Sequence, residues 1–346
     1  MFIRGTGIIL ASLQGFLSLR AQRWDTSLTL PGCESLAKEG GYIWAFSYDR
    51  RAATEDTGVY AHLYRFLGTD SFPFLREVTP GEGRWRPFGL AYLGGYVWFA
   101  HAPKEHPTEV WRFRWTGERL ADPQVWRHKD FTSIQAVCPI DTVRFYVAND
   151  RKHAARWHLV AGFLIRRVRS SLFLCERDTC QKIADRIPYA ADVKYLPRAG
   201  GLYVSIAFRK ALWVYAGGEA ATILRQVYRV RLPGYPDNIS IVNDSTLWVV
   251  CHKRLTAWAR SLAFGGTRSR WLIVEVRLLP EGKHQVHTLY QAPKGYATAS
   301  SALPVGEYVY IGSVFEPTLL RLRVSETIRP AASLSNTTSG SAPRLP

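Results

Sequence analysis

Asp237 and Asn238 stand side by side in the stretch PDNISIVNDSTLWVVCH, a carboxylate and an amide just ahead of a turn and the apolar run Leu247 to Cys251. Glu34, Asn149 and Asp192 carry the same hard oxygens close to other aromatic and β-branched runs, and His101 and His252 close two such runs. Taken singly, an Asp or Asn at a strand entrance is a turn former, because its side chain bonds the backbone two residues on. Gathered on one rim, the same residues form a cation site. Carboxylate and amide oxygens without cysteine are what Ca²⁺ prefers, about six to eight of them, and so few histidines argue against Zn²⁺. Buried carboxylates facing one another are unfavourable unless a cation balances them.

Whether the residues meet depends on the elements that carry them. One phrase occurs six times: a small or polar opening, a short turn, then a strand rich in aromatic and β-branched residues. The strands are YIWAF from Tyr42, YVWFA from Tyr96, FYVAN from Phe145, LYVSI from Leu202, LWVVC from Leu247 and YVYIG from Tyr308, starting 45 to 61 residues apart. Between them lie further alternating runs, among them EVWRFRW, ALWVY, QVYRVRL and TLLRLRV. Period-2 alternation marks half-buried antiparallel strands. About fifty residues make one four-stranded blade, so the expected fold is all-β, a six-bladed β-propeller.

If the repeated strand lies nearest the axis, equivalent positions from different blades converge at one end of the channel. Glu34 and Phe88 each lie eight residues ahead of it, Asp192 ten, and Asp237 and Asn238 ten and nine. Asn149, His101 and His252 follow it by four or five. Convergence favours the cation site over six separate turns.

These residues also match a family. GCESL, RPFGLAY, VWFAHAP, IQAVCPIDTVRFYVAND, AADVKYLPRAGGLYV and PDNISIVNDSTLWVVCH, in this order and spacing from Gly32 to Phe315, resemble the serum paraoxonase/arylesterase family of six-bladed propellers. The resemblance implies a calcium-dependent hydrolase of aryl esters and lactones, with one catalytic and one structural Ca²⁺ in the channel. It implies that Glu34, Asn149, Asp237 and Asn238 bind the catalytic ion, and that Asp150 and the Leu90 carbonyl bind the structural one. The chain also departs from the pattern. Phe88 stands where the family has a histidine, Ala191 where it has an asparagine ligand, and Ser35 where it has an aspartate of the structural site. Asp192, beside Ala191, is the substitute oxygen donor, and Ser35 leaves the structural site weakened.

On this reading Ca²⁺ polarises the carbonyl and stabilises the oxyanion, and water attacks with help from Glu34, Asp237 or His101. Phe88 and His252 contact substrate. No G-x-S-x-G motif points to a serine nucleophile. Two alternatives stay open: a gluconolactonase-like hydrolase of sugar lactones, and a non-catalytic propeller in which the ion only holds the blades.

The rest of the chain bounds partners and location. Of 346 residues 47% are hydrophobic and 12 are tryptophan, enough for a large core, while 45 basic against 28 acidic residues give a formal charge of +17. That charge favours anionic surfaces, but the basic residues are spread over most strands and form no recognised nucleic-acid module. Residues 1–23 contain an apolar run from Ile8 to Leu19, a secreted or membrane-associated leader too short for the roughly 20 residues of a spanning helix. Residues 24–330 are the propeller, and 331–346 have the composition of a disordered tail. From Ala154 to Arg169 the chain loses period 2 and reads as a basic amphipathic helix at the channel mouth, suited to a membrane or lipid surface. Cys175 and Cys180 flank a tight turn across which they can pair, whereas Cys33, Cys138 and Cys251 look unpaired. Asn238, Asn243 and Asn336 open formal glycosylation sequons.

Overall fold

The computed structural model describes residues 26–49, 61–70, 73–81, 85–103, 107–150, 168–199, 201–216, 224–264, 269–292, 296 and 298–324. After β1 (Thr26–Thr29) the chain builds five four-stranded antiparallel sheets in sequence order. They are β2 (Leu36–Glu39), β3 (Tyr42–Ser47), β4 (His62–Leu67) and β5 (Arg76–Glu77); then β6 (Pro87–Leu93), β7 (Tyr96–His101), β8 (Glu109–Trp115) and β9 (Leu120–Trp126). The third is β10 (Ser133–Pro139), β11 (Arg144–Asp150), β12 (Ser170–Glu176) and β13 (Thr179–Ile187); the fourth β14 (Ala190–Leu196), β15 (Gly201–Ile206), β16 (Ala211–Ala216) and β17 (Arg225–Arg231). The fifth is β18 (Tyr235–Asn243), β19 (Thr246–His252), β20 (Trp271–Leu278) and β21 (His284–Gln291). The last blade combines β22 (Ala299–Val305), β23 (Tyr308–Ser313) and β24 (Thr318–Arg323) with β1, in the order β1-β24-β23-β22. The two ends of the propeller thus close the ring by hydrogen bonds, with Thr26 opposite Arg321 and Thr29 opposite Thr318.

The first strand of each blade packs against the first strands of both neighbours, so β2, β6, β10, β14, β18 and β22 ring the axis. The repeated aromatic strand is therefore the second of each blade, which corrects its expected place nearest the axis. The physical reason is burial. A second strand has a partner at each edge and a neighbouring blade on each face, so β15 and β19 are buried along their whole length and read as continuous apolar runs. The axial strand has one edge on the channel and keeps polar residues. Six apolar clusters fill the six interfaces between blades. Trp44, Trp98 and Trp271 are fully buried in them, and truncating any one to alanine should cost about 3–5 kcal/mol.

Part of the basic excess belongs to these sheets. Arg65 of β4 lies 3.5 Å over the Tyr42 ring, Arg112 of β8 4.4 Å over Tyr96, and Arg321 of β24 4.3 Å over Tyr308. Three blades thus repeat one cation–π contact between the third strand and the tyrosine that opens the second.

Among the described residues the one α-helix is α1 (Leu255–Phe264), between β19 and β20. It was not anticipated, although Leu255, Trp258, Ala259 and Leu262 follow helical spacing. Leu255, Trp258 and Ala259 pack on Tyr189, Ala191, Ala207, Phe208 and Val168. The helix expected from Ala154 to Arg169 lies outside the described residues except for its last two, as do the leader and the tail. No described helix is long and apolar enough to cross a membrane.

Candidate functional site

Five of the six axial strands carry a β-bulge near their beginning. The register skips Gly89 and Leu90 in β6, Gln135 in β10, Ala191 in β14, Asp237 and Asn238 in β18, and Ser300 in β22. A bulge leaves its extra residues out of the ladder and re-aims their side chains, which is how a strand delivers polar groups to a site. Asp237 and Asn238 are thus neither a turn before a strand nor ladder residues. They are the bulge itself. Gly89 shows why one bulge needs a glycine: its φ is +56°, and a Cβ there would sit 2.7 Å from the Ala136 Cα of the next blade.

The bulges of β18 and β22 meet on one backbone carbonyl. Asn238 Nδ2 donates to the Glu34 carbonyl at 3.4 Å, and the Ser300 hydroxyl donates to the same oxygen at 2.9 Å. Blades five and six therefore converge on the segment that enters β2. Ser300 was not among the expected residues, since serine alone carries no signal. Only its register, equivalent to that of Asp237, identifies it. Glu34 also borders a small, partly open recess with Ser35, Pro87 and Phe88, about 10 Å³, room for about one water.

Behind Asp237 stands His252. Its Nε2 lies 3.3 Å from Asp237 Oδ2, and its ring stacks on Trp258 of α1 with centroids 4.4 Å apart. His252 is fully buried, which pushes its pKa down to about 3, so the ring is neutral. Neutral imidazole has one N–H, and the geometry gives it to Nε2, leaving Nδ1 without a partner among the described residues. His252, expected on the substrate-facing wall, is buried against Asp237 and Trp258.

The other expected residues are held by neighbours of their own. Asn149 Oδ1 accepts the Thr132 and Ser133 N–H groups, both at 3.0 Å, and its Nδ2 donates to the Asp130 carbonyl at 2.9 Å. It fastens the turn into β10. Asp192 Oδ1 accepts Lys194 Nζ at 2.8 Å and the Val193 N–H at 2.7 Å, and Oδ2 accepts the Ile239 N–H at 2.7 Å. Asp150 accepts the Ser170 hydroxyl, and burial holds its carboxyl well above the usual carboxylate range. Leu90 is a buried bulge residue, packed with the cluster between the first two blades. His101 Nδ1 accepts the Arg86 N–H at 3.1 Å, its ring meets the edge of Trp85, and burial lowers its pKa. Phe88 packs against the cluster around Trp98. Cys175 and Cys180 are joined by a disulfide across the β12–β13 hairpin.

The donor set can be compared with what calcium requires. Among the described residues no three side chains of His, Cys, Asp or Glu stand together as a metal would need. Asn149 Oδ1 accepts two backbone N–H groups and Asp192 is bonded through both oxygens to two N–H groups and the Lys194 ammonium, so two of the five expected ligands are engaged with the protein's own donors, against the about six to eight oxygens of a calcium shell. The residues as arranged do not fit the expected ion.

At the other end of the channel the later halves of the axial strands border an open cavity of about 440 Å³, lined by Ala37, Tyr92, Val137, Lys194, Ile239 and Leu303 among others.

Comparison with known proteins agrees with this architecture. The luciferin-regenerating enzyme superposes with a TM-score of 0.54 at 12% identity, over 86% of this chain and 92% of that one. A structural genomics protein of unknown function from Bacteroides thetaiotaomicron gives 0.56 at 11%, over 86% and 72%, and YjhT gives 0.52 at 9%, over 85% and 94%. At such identities the likeness establishes the fold alone. No curated protein sequence matches the chain. A family profile described as arylesterase matches residues 91–320, a stretch that contains His101, Asn149, Asp192, Asp237, Asn238, His252 and Ser300 and begins after Glu34 and Phe88. With more than half of its length matched, the chain belongs to the arylesterase family.

Proposed function

We propose that the protein hydrolyses carboxylic esters, lactones among them, at the end of the channel where the axial strands begin. The observation that carries this reading is the contact of Asn238 with Glu34 across 204 residues, which gathers two carboxylate-bearing residues, Glu34 and Asp237, in a chain of the arylesterase family. Asp237 is the general base. With one oxygen fixed by the His252 Nε2–H, its carboxylate takes a proton from the water that attacks the ester carbonyl and returns it to the departing alkoxide. His252 positions Asp237 and exchanges no proton, being neutral and closed to solvent. Asn238 and Ser300 together fix the backbone that presents Glu34. The aromatic side of Phe88 beside Glu34 favours aryl and acyl groups over sugars.

A second reading, a propeller that binds without catalysis, is favoured by one observation: Asn149 and Asp192, two of the oxygen donors expected of a catalytic ion, are committed to the backbone and to Lys194. Hydrolysis of phenyl acetate, a γ-lactone and a δ-lactone by the purified full chain separates the two. The hydrolase reading expects turnover that Asp237→Asn abolishes. Turnover unchanged in that variant, or none in the parent, would sink it.

A further inference from the structure

Asp192 is almost wholly buried at the junction of blades four and five, with its side chain 3% exposed. It follows Ala191, the bulge residue of β14, and its Oδ2 accepts the backbone N–H of Ile239, the residue next to Asn238. A carboxylate in that place demands a positive partner. Two residues further along β14, on the same face of the strand, Lys194 supplies it at 2.8 Å. The lysine is 21% exposed and borders the 440 Å³ cavity, so it bridges that cavity and the buried Asp192.

Other polar groups around the axis are bonded within the protein. Asn149 Oδ1 accepts two backbone N–H groups, Asp150 accepts the Ser170 hydroxyl, and Ala191 brings no oxygen from its side chain. At each of these positions an oxygen is engaged by the protein's own donors or is missing from the side chain. Lys194 adds a charge of the ion's own sign.

We infer that Lys194 is the built-in cation of the channel: its ammonium neutralises Asp192 beside Asn238, and the propeller holds its blades together without calcium. The inference is independent of the hydrolase reading, and its test reads metal content and melting temperature rather than turnover.

The full chain is purified, its calcium content measured by atomic emission, and its melting followed in excess chelator and in millimolar CaCl₂. The expected result is substoichiometric calcium and one melting temperature in all conditions. Stoichiometric calcium, or a fall in melting temperature on chelation, overturns the proposal. Lys194→Met keeps the stem and removes the charge, leaving Asp192 buried and unpaired. It should melt lower than the parent, and calcium should now raise its melting temperature, since an ion that binds only the folded state stabilises it. Adding Asp192→Asn to that variant should recover most of the loss, because replacing both members of a buried pair is far milder than removing one. If Lys194→Met melts like the parent, or does not fold and is not rescued by Asp192→Asn, the lysine acts by packing and the proposal fails.

Discussion

His252 Nε2 and Asp237 Oδ2 lie 3.3 Å apart with the histidine wholly enclosed, so a neutral imidazole rather than an imidazolium holds the carboxylate of the site. The burial has a consequence for stability. The ring's pKa is pushed down to about 3, while in the unfolded chain it returns to about 6.5. Above pH 6.5 neither state is protonated and the histidine brings no pH dependence. As the pH falls below 6.5 the unfolded chain takes up a proton that the folded one refuses, and stability is lost, by about 2 kcal/mol at pH 5. His252→Gln keeps an N–H for Asp237 and cannot titrate. Urea melts at pH 7 and pH 5 should show the parent losing about 2 kcal/mol more than the variant between the two. Equal losses would mean that the ring is not enclosed in solution.

The thiols should play no part in turnover. Cys33, Cys138 and Cys251 are all buried, and burial raises each of them, Cys138 to about 11. A thiol so raised is protonated at neutral pH and unreactive. Native protein should resist iodoacetamide and take up three equivalents only after denaturation, since Cys175 and Cys180 are paired. Rapid labelling of any cysteine in the native state, or turnover lost with it, would contradict the proposed mechanism.

Part of this architecture was legible in the residues and part was not, for physical reasons. Tyr42, Tyr96 and Tyr308 open strands buried on both faces, so hydrophobicity and aromatic content mark each one and the blade count follows from the repeat. The axial strands are faint because bulges break period 2 in five of them and because their channel edge tolerates polar residues. Hence the aromatic strand was taken for the axial one. Asp237 and Asn238 were visible because two polar groups adjoin in an apolar context. Ser300 and Lys194 were not, since a serine matters only through its register and a lysine only through the carboxylate it reaches. Asn149 and Asp150 were expected as ligands on their oxygens alone, and a carboxylate or amide oxygen accepts an N–H or a hydroxyl as readily as it meets an ion, which sequence does not tell apart.

The ring depends on β1. Its four residues pair with β24, and Leu28 packs on the cluster between the last and first blades. Removing residues 1–29 would leave β24 with an open edge, a template for pairing with other chains. The truncated protein should melt roughly 4 °C lower or more, from the lost leucine burial and ladder, and should aggregate at lower temperature by light scattering. A truncated chain that melts like the parent and stays monomeric would show that the sixth blade closes on its three remaining strands.

The bulge of β18 makes the sharpest demand on the proposed function. Asp237 and Asn238 lie outside the ladder, where replacing a side chain removes no backbone hydrogen bond, while Asn243 is the exposed last residue of the same strand, paired with Thr246. There its Oδ1 accepts the Ser245 N–H at 3.0 Å and the Ser245 hydroxyl at 3.1 Å, contacts that stabilise the hairpin and reach nothing in the channel. Asp237→Ala removes the base and should lower kcat for esters and lactones by about 10²-fold or more. Asn238→Ala removes one of the two donors that fix the Glu34 backbone and should lower it less, with Ser300→Ala comparable to Asn238→Ala because both bond the same carbonyl. Asn243→Ala should leave kcat and KM unchanged while lowering the melting temperature slightly. If all four variants lose activity in proportion to lost stability, the bulge only bends the strand and the catalytic assignment falls. If Asp237→Ala alone is inactive and melts like the parent, the carboxylate acts in the reaction and not in the fold.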